Sequence, residues 1–233
     1  MNYKCKSPVI ILAGGFGTRL SSILGNNPKP LADISGTPFI ILLLKKLIEN
    51  GYSDFIFSLH YKADVIIDTI ESYPSLKKYN KKYIIESQPL GTGGGVLYSV
   101  CASEINADFL VVNSDSIIDN GYHLFDFAKS PTIGLVKINN TARYGIVKID
   151  INLKIIEFVE KNSDLKSGII NAGIYKLNKS HFKKFNSGDT FSLELDIFPE
   201  LVKENQLSGI ILKTNFIDIG IPEDYHRYCQ IVK

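Results

Sequence analysis

Gly14, Gly15 and Gly17 follow directly on Val9-Ile-Ile-Leu-Ala13, an apolar run of the length of one buried strand. A strand that opens into such a turn presents bare backbone N–H groups. Without Cβ atoms in the way, an anion can approach them closely. Leu12, Ala13, Gly14, Gly15, Gly17 and Thr18 make up this turn. Arg19 adds a planar cation with several donors, and Lys29, in Pro28-Lys-Pro-Leu31, a compact point charge. Together they read as a site for a polyphosphate. Two familiar phosphate loops are excluded. No Gly-Lys-Ser/Thr follows four residues after a glycine, so this is not a P-loop. Gly15-Phe-Gly-Thr-Arg-Leu20 lacks the third glycine of the dinucleotide fingerprint, which argues against a nicotinamide cofactor.

Two carboxylates extend the chemistry. Val111-Val-Asn-Ser-Asp115 is an apolar run ending in one, and Asp218 lies in Phe216-Ile-Asp-Ile-Gly-Ile-Pro-Glu-Asp-Tyr225. A single aspartate at a strand end commonly forms a turn or caps a helix. A pair from distant segments can instead hold one Mg²⁺ while phosphate oxygens and water complete its octahedron. Chemistry at a phosphate needs that neutralisation of charge. Glu86-Ser-Gln-Pro-Leu-Gly-Thr-Gly-Gly-Gly95 places three successive glycines where a helix should begin. Tight helix–sheet packing explains Gly95 alone. A planar base lying on the backbone of Pro89, Leu90, Gly91, Thr92 and Gly93 explains the whole string. Glu160-Lys161 is either a solvated strand edge or part of an anion site. No Ser-His-Asp or Cys-His arrangement stands out, so no covalent intermediate is implied.

These residues need elements that bring them together. Asp54–Leu59, Lys82–Glu86 and Phe109–Asn113 read as further strands. Helices are expected between Thr37-Pro38, as N-cap and first turn, and Gly51, then over Ala63–Ser72 and Gly94–Ala102. Such alternation means a mainly parallel sheet between helices, with ligands at the carboxyl ends of the strands. Thr132–Ile138, Gly145–Asp150, Ile155–Glu160 and Gly168–Leu177 follow as strands with short connections, which implies antiparallel pairs. Helices are expected over Ser180–Phe185, Leu193–Glu204 and Pro222–Ile231, and a strand over Ser208–Lys213. The expected fold is α/β, a Rossmann-like three-layer sandwich with a mixed, mainly parallel sheet. A lid-like antiparallel part appended to this sheet is expected in the second half. Residues 1–233 are expected to form one domain, with a first part over about 1–130 and a second over about 131–233.

Bulk properties narrow the classes. A chain of 233 residues, 45% hydrophobic and 21% charged, is long enough to bury a large core. A net charge of +2 gives no signal for nucleic acid. The longest apolar runs are far short of a membrane span, and Met1-Asn-Tyr-Lys-Cys-Lys6 leaves no room for a secretory signal before the first strand. Cys5, Cys101 and Cys229 are odd in number and not spaced for metal, which fits a reduced cytoplasm. His60, His123, His181 and His226 are scattered and read as surface or packing residues. Oligomeric state is not legible in the pattern.

Leu12-Ala-Gly-Gly-Phe-Gly-Thr-Arg-Leu20, followed eight residues later by Pro28-Lys-Pro-Leu31, closely resembles the entry motif of the sugar nucleotidyltransferases, or NDP-sugar pyrophosphorylases. Pro89-Leu-Gly-Thr-Gly-Gly94 resembles their base-binding segment. Asn113-Ser-Asp115 and Phe216–Tyr225 resemble their metal motifs, with Ser114 where a glycine is usual. Phe158-Val-Glu-Lys161 resembles their sugar-phosphate pair, and Arg143-Tyr-Gly-Ile-Val147 and Asn171-Ala-Gly-Ile-Tyr175 their sugar-pocket segments.

The resemblance spans residues 9 to 225 and implies transfer of a nucleotidyl group from a nucleoside triphosphate to a sugar 1-phosphate, with Mg²⁺ as cofactor. It implies Arg19, Lys29 and Lys161 as the catalytic cations and Asp115 and Asp218 as metal ligands. Tyr144, Gly145, Glu160, Lys161 and Asn171 would hold the sugar phosphate. The resemblance thus makes about 1–130 the nucleotide-binding part and about 131–233, with the antiparallel sugar-side extension, the sugar-binding part. Glu86 stands where thymidylyl and uridylyl members carry glutamine. A carboxylate only accepts hydrogen bonds, which suits the adjacent N1–H and NH₂ of guanine and opposes uracil or thymine. GTP is therefore the expected donor, unless Glu86 is a strand-end residue facing water. Phe191-Ser-Leu-Glu194 and the segments around Asn171 and Asp218 look most like the D-glycero-α-D-manno-heptose 1-phosphate guanylyltransferases. Mannose 1-phosphate guanylyltransferases and N-acetylmuramate 1-phosphate uridylyltransferases are the near alternatives. A GT-A glycosyltransferase would account for Asp115 but not for Arg19 and Lys29. No hexapeptide repeat follows the closing helix, so no acyltransferase activity is expected.

Overall fold

The computed structural model describes residues 5, 7–17, 20–160 and 167–232. Four parallel strands form its centre, each built from a run of aliphatic and aromatic residues. They are β1 (Val9–Leu12), β4 (Asp54–Leu59), β5 (Asn80–Ile85) and β6 (Phe109–Asn113), in the order β6-β1-β4-β5. Between them lie the short helix α1 (Ser21–Leu24), the hairpin β2 (Asp33–Ile34) and β3 (Thr37–Pro38), and the helices α2 (Phe39–Glu49), α3 (Ala63–Glu71) and α4 (Gly91–Ala102). The strand period of two sends side chains alternately to the two faces. Val9, Ile11, Phe55 and Phe57 join one core with α2 and α3. Ile10, Ile56, Phe109 and Val111 join a second core with α4.

The second half continues the same sheet. It begins with β7 (Ser116–Ile118) and the short helix α5 (Leu124–Phe127), followed by β8 (Thr132–Ile138), β9 (Ile146–Ile149), β10 (Ile155–Val159) and β11 (Gly168–Leu177). Next come α6 (Phe198–Lys203), β12 (Ser208–Ile211), β13 (Phe216–Asp218) and α7 (Pro222–Ile231). Strand β11 runs antiparallel to β6 and to β8, and its first half meets the β9–β10 hairpin. Among the described residues nine strands so form one mixed sheet. The antiparallel strands prolong the central sheet, as the expected mixed sheet requires, because the long strand β11 pairs along β6.

Three local expectations are corrected. Thr37 and Pro38 do not open α2 but pair with Asp33 and Ile34, and Pro38 stands before the helix without a side-chain cap. Ser180–Phe185 is only a 3₁₀ turn over Lys179–Phe182, closed by an Asn178–His181 capping box. Leu193–Glu204 splits into a π turn, Leu193–Ile197, and α6. Among the described residues no helix is long and apolar enough to cross a membrane.

Candidate active site

The parallel strands end in register. Leu12 lies beside Ser58 on one side and Asn113 on the other. Beyond these ends opens a cavity of about 390 Å³, lined by the glycine turn, Lys29, Ser58, Glu86, the segment 89–92 and Asn113–Asp115. Leu12, Gly14, Gly15, Gly17, Lys29, Glu86, Pro89, Leu90, Gly91, Thr92 and Asp115 thus share one cavity. Ala13 and Gly93 do not line it. Ala13 is buried, and its N–H closes the sheet against the Ser58 carbonyl at 2.9 Å. Gly93 turns its N–H to the Phe191 carbonyl at 3.0 Å and lies against the Phe191 ring, away from the cavity. Thr18, Arg19 and Lys161 lie outside the described residues.

Two glycines fix the loops. Gly17 has φ +63°, and a Cβ there would stand 2.9 Å from Lys29 Cβ, so the turn wraps directly over the lysine. Gly91 has φ +74°, and a Cβ would stand 2.5 Å from the Phe191 carbonyl oxygen. Only glycine combines that conformation with such an approach.

Asp115 and Asp218 meet because β7 and β13 pair antiparallel, placing Asp218 opposite Ser116. The Ile219 N–H donates to the Asp115 carbonyl at 2.9 Å, and the Gly220 N–H to Asp218 Oδ1 at 2.6 Å. Burial, and then repulsion from Asp115, pushes the Asp218 carboxyl above its usual range, while Lys29 pulls it down. Lys29 Nζ donates to Asp115 Oδ2 at 2.6 Å, with its side chain only 11% exposed. One ammonium thus serves two mutually repelling carboxylates, a hard oxygen donor set with unmet demand for positive charge. That set fits Mg²⁺, which needs only one or two carboxylates and keeps water and phosphate as other ligands. Groups of three or more His, Cys, Asp or Glu that could hold a metal are absent among the described residues. Ser114 fits where a glycine was expected: its φ is not positive, and its Oγ donates to the Leu12 carbonyl at 2.6 Å.

Glu86 is 7% exposed and does not face water. Its Oε1 accepts from Ser58 Oγ at 2.7 Å and its Oε2 from the Leu90 N–H at 3.0 Å. The carboxylate therefore ties the strand end to the loop before α4. Each oxygen keeps a second lone pair for a ligand in the cavity.

The expected sugar-side residues lie around the far end. Asn171 is on β11, with its Oδ1 accepting from the Gly173 N–H at 2.8 Å. Tyr144 is half-buried, its phenol raised by burial and by Asp218. It follows Arg143, whose guanidinium pairs with the buried Asp224 of α7. A Cβ on Gly145 would lie 3.2 Å from the Val159 carbonyl, and Glu160 is exposed just past β10. Tyr144, Gly145, Glu160 and Asn171 do not line the cavity, and neither does Asp218, which borders it through Gly220. Phe16, Pro30, Ser58, Asn113, Ser114 and Gly220 also line the cavity, though the sequence did not single them out as site residues. The register of Ser58 and Asn113 with Leu12 is the signal that points to those two.

A family model for nucleotidyl transferases matches residues 8–233. The chain belongs to the nucleotidyl transferase family. It is 35% identical to the D-glycero-alpha-D-manno-heptose 1-phosphate guanylyltransferase of Campylobacter jejuni over 94% of this chain and 97% of that protein. It is 34% identical to the mannose-1-phosphate guanyltransferase of Saccharomyces cerevisiae over 93% of this chain, and spans only 62% of that protein's length. A Candida glabrata mannose-1-phosphate guanyltransferase 2 is likewise spanned over 62%. The crystal structure of HddC from Yersinia pseudotuberculosis complexed with GMP-PN is 38% identical, with a TM-score of 0.85 over 98% of this chain and 100% of that one.

Proposed function

We propose that the chain is a sugar-1-phosphate guanylyltransferase, joining GTP and a sugar 1-phosphate into a GDP-sugar and pyrophosphate. The observation that carries this reading is the grouping of Lys29, Asp115 and Asp218 beside one cavity with the glycine turn and the buried Glu86. In this reading residues 1–233 act as one unit. The heptose 1-phosphate is the favoured acceptor, supported by the near full-length match to the Campylobacter jejuni enzyme. Mannose 1-phosphate is the second reading, supported by the 34% identity to the yeast enzyme. The product would serve a surface polysaccharide. GTP and a phosphorylated sugar are solutes of the cytoplasm, and we place the reaction there.

The chemistry is an in-line displacement in which positioning and charge neutralisation supply the acceleration. The glycine turn and Arg19 hold the β- and γ-phosphates. Lys29 moves its charge towards the α-phosphate, and Lys161 orients the attacking phosphate of the sugar. Asp115 and Asp218 would hold Mg²⁺, which supplies neutralisation of the developing charge when bound. The phosphate oxygen of the sugar attacks the α-phosphorus, that P–O bond forms, and the bond to the departing pyrophosphate breaks. The C1–O bond of the sugar is untouched, so its anomeric configuration is retained. NMR of the product tests this: inversion at C1 would mean glycosyl transfer instead.

A further inference from the structure

Glu194 carries a carboxylate that none of the roles above uses. It is the second residue of the π turn that precedes α6, and such turns gather at functional sites. Its Oε2 accepts from Thr92 Oγ1 at 2.7 Å and from Ser192 Oγ at 2.9 Å. Its Oε1 accepts from the Tyr175 hydroxyl at 3.4 Å. Thr92 lines the nucleotide cavity, and its hydroxyl is fixed from the other side by the Leu193 N–H at 2.9 Å. Tyr175 lies on β11 and is buried. Its hydroxyl accepts from Asn171 Nδ2 at 3.0 Å and meets the Asn113 side chain. One carboxylate therefore joins the segment under the base to the strand on the sugar side.

Three hydroxyl donors converge on it from two directions. Only an ionised carboxylate accepts at both oxygens, since an amide offers one acceptor and one donor. The link to Tyr175 is long for an O–H···O bond, where 2.7–2.8 Å is usual. It holds slack that a ligand on either side can take up. From this geometry we infer that Glu194 is a positioning residue that couples the nucleotide site to the sugar-phosphate site. A nucleotide that orders Thr92 draws on the same acceptor as a sugar phosphate that orders Asn171 and Tyr175. Binding of either then favours the arrangement the other needs, and the effect is reciprocal. This rests on the proposed assignment of the β11 side to the sugar phosphate.

Calorimetry tests it with the α,β-methylene analogue of whichever triphosphate turns over fastest, titrated with and without saturating mannose 1-phosphate or the better sugar 1-phosphate. A wrong choice of GTP therefore leaves this test intact. In the unaltered protein the sugar phosphate should tighten the analogue at least about fivefold, the lower end of common coupling factors. In Glu194→Gln the amide oxygen keeps the Thr92 end while the Tyr175 proton loses its acceptor. That ratio should fall below about twofold, with affinity for the analogue alone little changed. Tyr175→Phe, which removes only the hydroxyl, should do the same and guards against a folding artefact. A ratio near one in the unaltered protein overturns the inference. So does an unchanged ratio in both variants, even with a uniform loss of affinity, because that pattern marks a merely structural role.

Discussion

Replacing Glu86 with glutamine should shift nucleotide preference without disturbing the fold. The carboxylate accepts from Ser58 Oγ at 2.7 Å and from the Leu90 N–H at 3.0 Å. A glutamine can keep both links: its carbonyl accepts from Leu90, and its NH₂ donates to Ser58, whose hydroxyl also accepts. The volume is nearly the same, which matters because a Cβ on Gly95 would already stand 2.6 Å from Glu86 Oε1. What changes is the edge offered to the cavity, where one acceptor becomes a donor. One of the two guanine donors then meets an NH₂ group, while uracil or thymine gains a partner for a carbonyl. A lost hydrogen bond and an unpaired donor together amount to about 1.4–2.8 kcal/mol, or roughly ten- to hundredfold. Pyrophosphate release with GTP, UTP and dTTP, against one sugar 1-phosphate, gives the ratio of kcat/KM values. An unchanged ratio would refute base reading by Glu86 and leave it as the tie between β4, β5 and the loop before α4.

Further outcomes follow from the same geometry. Lys29→Ala should lower kcat by on the order of 100- to 1000-fold, the range for single donors that act on transition-state charge. Lys161→Ala should mainly raise KM for the sugar phosphate, whose charge is already present in the ground state; steady-state kinetics showing one pattern for both variants would refute the assigned roles. Gly94→Ala would drive a Cβ into the Asp189 carbonyl oxygen, an overpacking cost of about 2 kcal/mol, and a thermal melt should show a loss of roughly 4–8 °C for a chain of this size. Cys5 is buried, with its thiol pushed up to about 11 by burial and then by Asp126. Thiol titration at pH 8 should therefore leave it unreacted until denaturant is added, while Cys101 and Cys229 react.

Much of this site was legible because its parts are local. The glycine turn, Pro28-Lys-Pro-Leu31 and the 86–95 string each keep their chemistry within a few residues, and the apolar runs before them fix the strand ends. Asp54–Leu59, Phe109–Asn113, Thr132–Ile138, Gly168–Leu177 and Pro222–Ile231 end where the residue pattern says. What escaped depends on distant partners. Thr37-Pro38 has the chemistry of a helix start, but pairing with Asp33-Ile34 claims it for a hairpin. The β7–β13 ladder that sets Asp218 beside Asp115 is three residues long and shows no period of its own. Gly93 matches a base-binding pattern, yet its N–H is spent on Phe191, far along the chain. Glu194 gave no sign in the sequence of its link to Thr92 and Tyr175, because only packing of the π turn on α4 and β11 creates it.

The central claim is transfer of a guanylyl group with release of pyrophosphate, and one measurement meets it directly. ATP, GTP, CTP, UTP and dTTP are each incubated with D-glycero-α-D-manno-heptose 1-phosphate and with mannose 1-phosphate, with and without Mg²⁺, and pyrophosphate is counted. The expected result is release that requires the metal and both substrates, is fastest with GTP, and is matched mole for mole by a GDP-sugar. Release that ignores the sugar phosphate, or a sugar transferred with a nucleoside diphosphate left over, would contradict it.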